Sequence, residues 1–131
     1  SWFLPRLVGM ERALEWCYTA EVISAATARD AGLLRAVVTP EQLLAEAHAL
    51  AHRLIDGRSA VAIAMTRQML WRNSAQPSPL HAHRVDSLVM HHLSQHDGRE
   101  GVHAFLGKRK PRFTARVSDG LPPVHPWWEE G

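Results

Sequence analysis

Cysteine is nearly absent from this chain: Cys17 is the only one in 131 residues. An internal disulfide framework is therefore excluded, and the composition points to a reducing, cytoplasmic compartment. Long hydrophobic runs are missing too. The apolar stretch Ser59 to Thr66 falls far short of the roughly 20 residues a membrane span needs. Arg6, Glu11 and Arg12 interrupt the first apolar residues before a signal-peptide core forms, so neither a membrane partner nor a signal peptide is expected. There is no GxGxxG or Walker loop, no GxSxG elbow, no HExxH and no cysteine ligand pair. Charge of one sign is also scarce. Fifteen Lys and Arg face thirteen Asp and Glu, net +2, too mild for a dedicated nucleic-acid binder, and no nucleic acid is expected as a partner.

What is present is the apolar content of one folded domain, 46% hydrophobic residues, arranged mostly at helical spacing. Met10, Ala13, Leu14, Cys17 and Tyr18 mark one buried face of a helix from about Gly9 to Val22. Ser24 caps a short helix through Ala31, and Gly32 stands where a left-handed terminating residue is wanted. Leu33 to Val38 is the one strand-like run. Thr39, Pro40 and Gln42 form a helix start in which Thr39 accepts from the Gln42 amide. That helix is expected to bury Leu43, Leu44, Ala47, Leu50, Ala51 and Leu54. Ser59 and Ser78-Pro79 open two more, and Asp97 with Glu100 gives a second capping-box pattern before a helix through Val102 and Phe105. The fold expected is mainly α, with five or six helices and one short strand.

Few residues carry chemistry by pattern alone. His48 and His52, like His92 and His96, share a helix face at i,i+4, but a zinc site needs a third ligand and no metal is expected. Cys17 lies on an apolar face and reads as a buried structural thiol. Glu11 and Glu15 alternate with Arg12 as an ordinary charged face, and five scattered tryptophans suit packing better than a stacking platform. Lys108, Arg109, Lys110 and Arg112 form a basic run without an intervening acid. It suits either a phosphate or a solvated helix end.

Two stretches add a resemblance. Ser24-Ala25-Ala26-Thr27-Ala28-Arg29-Asp30-Ala31-Gly32-Leu33-Leu34, followed by Val37-Val38, resembles the SAxxAxxxGLV…VV segment of the enoyl-CoA hydratase/isomerase (crotonase) family. Glu100-Gly101-Val102-His103-Ala104-Phe105-Leu106-Gly107-Lys108-Arg109-Lys110-Pro111-Arg112-Phe113 is similar to that family's EGxxAFxEKRxPxF ending. Leu4 to Gly9 and the helix from Leu43 also fit. Two departures stand out: Ala20 replaces a glycine common in the family, and Gly107 replaces a glutamate, which loosens the end of the last helix.

The resemblance implies the C-terminal part of the α/β crotonase spiral fold. Residues 1–38 would end its core and 39–113 would form a helical trimerisation and CoA-contact region; the resemblance leaves out residues 114–131, whose Pro and Trp content reads as an extended tail. It implies an enzyme acting on an acyl-CoA substrate, hydrating a 2,3-enoyl-CoA through an oxyanion-stabilised enolate. The catalytic groups would precede Ser1, so no catalytic residue is assigned within this chain and activity is expected only of a longer protein. No separate cofactor is implied, coenzyme A being part of the substrate. Family positions matching Phe105 and Lys108 contact the adenine-phosphate end of CoA, commonly one held in a neighbouring subunit of a trimer or dimer of trimers. Val89 and Leu93 would help line an acyl pocket. Open alternatives are a crotonase-family isomerase, a non-catalytic oligomerisation module, and a plain structural role with Phe105 in the core and Lys108 solvated.

Overall fold

The computed structural model describes residues 1–128. Its helices are α1 (Leu4–Val8), α2 (Met10–Thr19), α3 (Ala25–Asp30), α4 (Pro40–Ile55), α5 (Ala60–Asn73), α6 (Pro79–Gln95) and α7 (Asp97–Leu106). They fall into two compact units that divide within α4, one ending at His48 and the other starting at Ala49. No described helix is long and apolar enough to cross a membrane.

In the first unit α1 packs on α2, and only Ala13 and Ala28 are buried. The start of α3 follows local chemistry as expected. The Ser24 hydroxyl accepts from the Thr27 amide at 3.0 Å. At its end the Leu33 amide donates back to Ala28 and the Gly32 amide to Arg29, both at 2.9 Å, with Gly32 left-handed at φ +85°. This six-to-one, five-to-two pair is the Schellman ending. It also explains why the strand expected over Leu33 to Val38 does not form. Leu33 and Leu34 both spend their amides on the Ala28 carbonyl, and no described segment supplies a ladder partner for the rest. Helices exceed the expected five or six, and α2 stops at Thr19 rather than Val22.

The start of α4 also differs from the expected box: the Gln42 amide donates to the Thr39 carbonyl at 3.0 Å, while the Thr39 hydroxyl turns to the Gln42 side chain. Two expected burials fail. Cys17 is exposed, as are Met10 and Tyr18, and α4 has no buried residue, Leu44 being 71% exposed. Helical periodicity identifies an apolar face but not what lies against it.

At the end of α2, Ala20 takes a left-handed conformation, φ 52° and ψ 26°. A side chain there is strained where glycine is not. Ala20→Gly should therefore raise stability by about 1 kcal/mol, measured as an increased urea midpoint.

The second unit carries the larger core. α5 and α7 both pack on α6, and Val61, Met65, Val85 and Val89 form a fully buried cluster. Ser59 and Ser78 cap α5 and α6 as expected, accepting from Ala62 at 3.1 Å and Leu80 at 3.2 Å. The segment from Thr114 on, expected as an extended tail, has neither helix nor strand in its described part. It is nevertheless packed: Ala115, Leu121, Val124 and Trp127 lie on the core cluster, and Pro122 is fully buried. His92 Nε2 donates to the Gly120 carbonyl at 3.2 Å, and the Arg72 guanidinium lies 4.4 Å from the Trp128 ring centre. Glu129, Glu130 and Gly131 lie outside the described residues.

Candidate functional site

The basic run begins where α7 ends, and the ending is a second Schellman motif. The Arg109 amide donates to Ala104 at 3.0 Å and the Lys108 amide to Phe105 at 3.1 Å. Lys108 therefore occupies the position that Gly32 fills after α3, and it is left-handed, φ 48°. Gly107 ordinarily invites that role but is right-handed at φ −78°. The last helix is not loosened by Gly107; it closes one residue later, on a lysine.

Beyond Lys108 the chain doubles back along α7. Glu100 takes the Arg109 guanidinium in a two-pronged pair, 2.6 and 2.8 Å, and accepts from the Arg112 amide at 2.6 Å. One turn earlier, Asp97 Oδ1 accepts from the Thr114 and Ala115 amides at 3.4 and 3.3 Å. Between these, Phe113 rests on Gly101, where an added Cβ would stand 3.8 Å from the ring. The capping box expected from Asp97 and Glu100 is therefore not made. α7 has no side-chain cap, and both carboxylates hold the returning chain instead.

The hydrogen bonds from Arg109, then from the Arg112 amide, hold the Glu100 carboxyl at about 2, well below its ordinary 4.5, and Glu100 raises Arg109 in turn. A carboxyl lowered in the folded state stabilises that state above its unfolded value. The Glu100 contribution is thus complete above about pH 4.5 and is lost as pH falls toward 2.

Phe105 and Lys108 flank this reversal. Phe105 is 82% exposed, which overturns its reading as a core residue, and Lys108 is exposed with no ion pair among the described residues. An aromatic face and an ammonium three residues apart suit a planar base joined to a phosphate. Val89 and Leu93 border a groove of about 1140 Å³ between α5, α6 and α7, with Met69, Leu70, Met90 and Val102. Val89 is itself only 1% exposed and belongs chiefly to the core.

The histidine pairs form no site with a third ligand. His92 and His96 stack, ring centres 4.3 Å apart, and His52 meets Asp56 at 3.2 Å in solvent. Among the described residues no group of three His, Cys, Asp or Glu could hold a metal. The pattern reading missed the grip of Asp97 and Glu100 on residues 109–115. Its one signal was an acid–Gly pair ahead of a basic run ending in Pro-x-Phe.

The family model described as Enoyl-CoA hydratase/isomerase matches residues 1–116. A crotonyl-CoA hydratase of Syntrophomonas wolfei is 36% identical over 116 residues, covering 86% of this chain and 43% of that protein. A probable enoyl-CoA hydratase of Rhodobacter capsulatus is 37% identical over 117 residues, covering 88% and 45%. The crystal structure of an enoyl-CoA hydratase from Bacillus anthracis superposes with a TM-score of 0.77 at 29% identity, over 86% of this chain and 43% of that one. The chain spans less than half the length of the curated relatives it matches.

Proposed function

Because the chain belongs to the enoyl-CoA hydratase/isomerase family, we propose that it is the C-terminal, helical portion of a hydratase-like enzyme acting on acyl-CoA thioesters. The reaction is addition of water across a 2,3-enoyl-CoA, with the thioester enolate stabilised by backbone amides that precede Ser1 in the whole protein. The acid–base groups belong to the same preceding part. The residues here bind rather than react. The Phe105 ring stacks on the adenine of coenzyme A, and the Lys108 ammonium meets a phosphate at the same end of the molecule.

The observation that carries this reading is the pairing of a bare aromatic ring with a left-handed lysine. Non-glycine residues in that conformation are strained, and such strain concentrates at functional sites. The uncovered apolar faces of α2 and α4 support the remainder. In the whole protein they pack against its preceding core and against further copies, in a cytoplasmic homo-oligomer, trimer or dimer of trimers.

Calorimetric titration of coenzyme A into the protein tests the reading. Stacking on a base and a charged hydrogen bond are each worth enough that Phe105→Ala and Lys108→Ala should each weaken binding about tenfold. Undetectable binding by the unaltered protein, or unchanged affinity in both variants, overturns it.

A further inference from the structure

We propose that Glu100 is a positioning residue for the Lys108 contact: its carboxylate latches the returning chain onto α7 and so fixes the left-handed turn that aims the lysine. The proposal rests on the CoA-contact reading above and extends it to a residue that touches no ligand.

The chain builds the same helix ending twice, and the comparison isolates what differs. After α3 the left-handed position holds glycine, which adopts it without strain, so the ending needs no help from side chains. After α7 the same position holds Lys108, for which that backbone region is unfavourable. The two backbone hydrogen bonds are equivalent in the two motifs, 2.9 Å twice after α3 and 3.0 and 3.1 Å after α7. What α7 adds is Glu100. It holds the side chain of the next residue, Arg109, and the amide of Arg112, so Lys108 is pinned on its far side within four residues.

Phe105, one turn before the reversal, is fixed by the helix itself. The direction of the Lys108 side chain is fixed only while the reversal stays closed. Without the latch, the segment after Lys108 is released from α7, and the ammonium is no longer held at the place that Phe105 defines. Arg109 is committed to Glu100, whereas Lys108, three residues from Phe105, is exposed with no ion pair among the described residues.

A double-mutant cycle on coenzyme A affinity separates positioning from general support. The affinities compared are those of the unaltered protein, Glu100→Ala, Lys108→Ala and the double variant. If Glu100 acts through Lys108, each single change weakens binding about tenfold and the double variant binds no worse than Lys108→Ala. An additive, roughly hundredfold loss in the double variant overturns the positioning role. So does unaltered affinity in Glu100→Ala beside a weakened Lys108→Ala; in that case the contact reading stands without the latch. Unaltered affinity in Lys108→Ala instead overturns the lysine contact through which the latch would act. Should Glu100→Ala fail to fold, Glu100→Gln enters the same cycle, because it keeps the side-chain outline and an oxygen for the Arg112 amide while removing the charge. Lys108→Gly supplies an independent readout: it relieves the backbone strain, so the thermal midpoint rises while affinity falls as in Lys108→Ala. A lowered midpoint there overturns the strain argument on which the latch depends.

Discussion

Met65→Ala is expected to lower the unfolding free energy by about 3 kcal/mol, read as a reduced urea midpoint at unchanged slope. Met65 is 0% exposed and sits among Val61, Val85 and Val89, with Met69, Leu93 and Trp127 around them. Truncation removes three heavy atoms from a closed space, and the loss combines lost burial with the cavity left behind. Collapse around the cavity is restricted on two sides, since α5 and α6 supply the buried cluster and the C-terminal segment closes over it. Met65→Leu should lose less than about 1.5 kcal/mol, because it nearly conserves volume. If the two substitutions were equally damaging, the side chain's shape rather than the cavity would be at issue.

Gly120→Val should destabilise by about 2 kcal/mol, and the reason is proximity. A Cβ on Gly120 would stand 2.8 Å from the Arg116 carbonyl oxygen and 3.2 Å from Val61 Cγ2. The first contact is with backbone, which cannot swing aside, and the second is with the centre of the core. The Gly120 carbonyl also accepts from His92, and Pro122 just beyond it is fully buried. Displacing this point therefore loosens the segment that covers Val61 and Met65. Tryptophan fluorescence would report it, as Trp127 packs on the same cluster. A variant with unchanged midpoint and emission would show that the turn at Gly120 is free to shift.

The parts of this fold that were legible in the sequence are those decided within a few residues. Ser24, Ser59 and Ser78 each accept an amide two or three residues ahead, and Gly32 takes the left-handed position foreseen for it. Local signals failed where one residue had two possible partners. Asp97 and Glu100 have capping-box spacing, yet their carboxylates reach amides 12 to 18 residues away. Nothing in a four-residue window distinguishes the two uses. The strand over Leu33 to Val38 failed for a related reason, since a strand is defined by its neighbour. Exposure of Cys17 and of the α4 leucines likewise reflects what is packed against a helix, which its own periodicity does not contain. Phe105 and Lys108 were reached through resemblance rather than pattern. The structure adds something that resemblance lacked, an exposed ring and a lysine held where glycine is easier.

The packed C-terminal segment also bears on where the protein can be divided. The match to the family model ends at residue 116, whereas the core draws on Leu121, Val124 and Trp127. A shortened version or fusion joint placed at residue 116 would cut through the hydrophobic interior, exposing Val61 and Met65 to solvent. For this chain the span that the family model matches and the unit that folds have different borders, and the folded unit reaches at least eleven residues further, to Trp127.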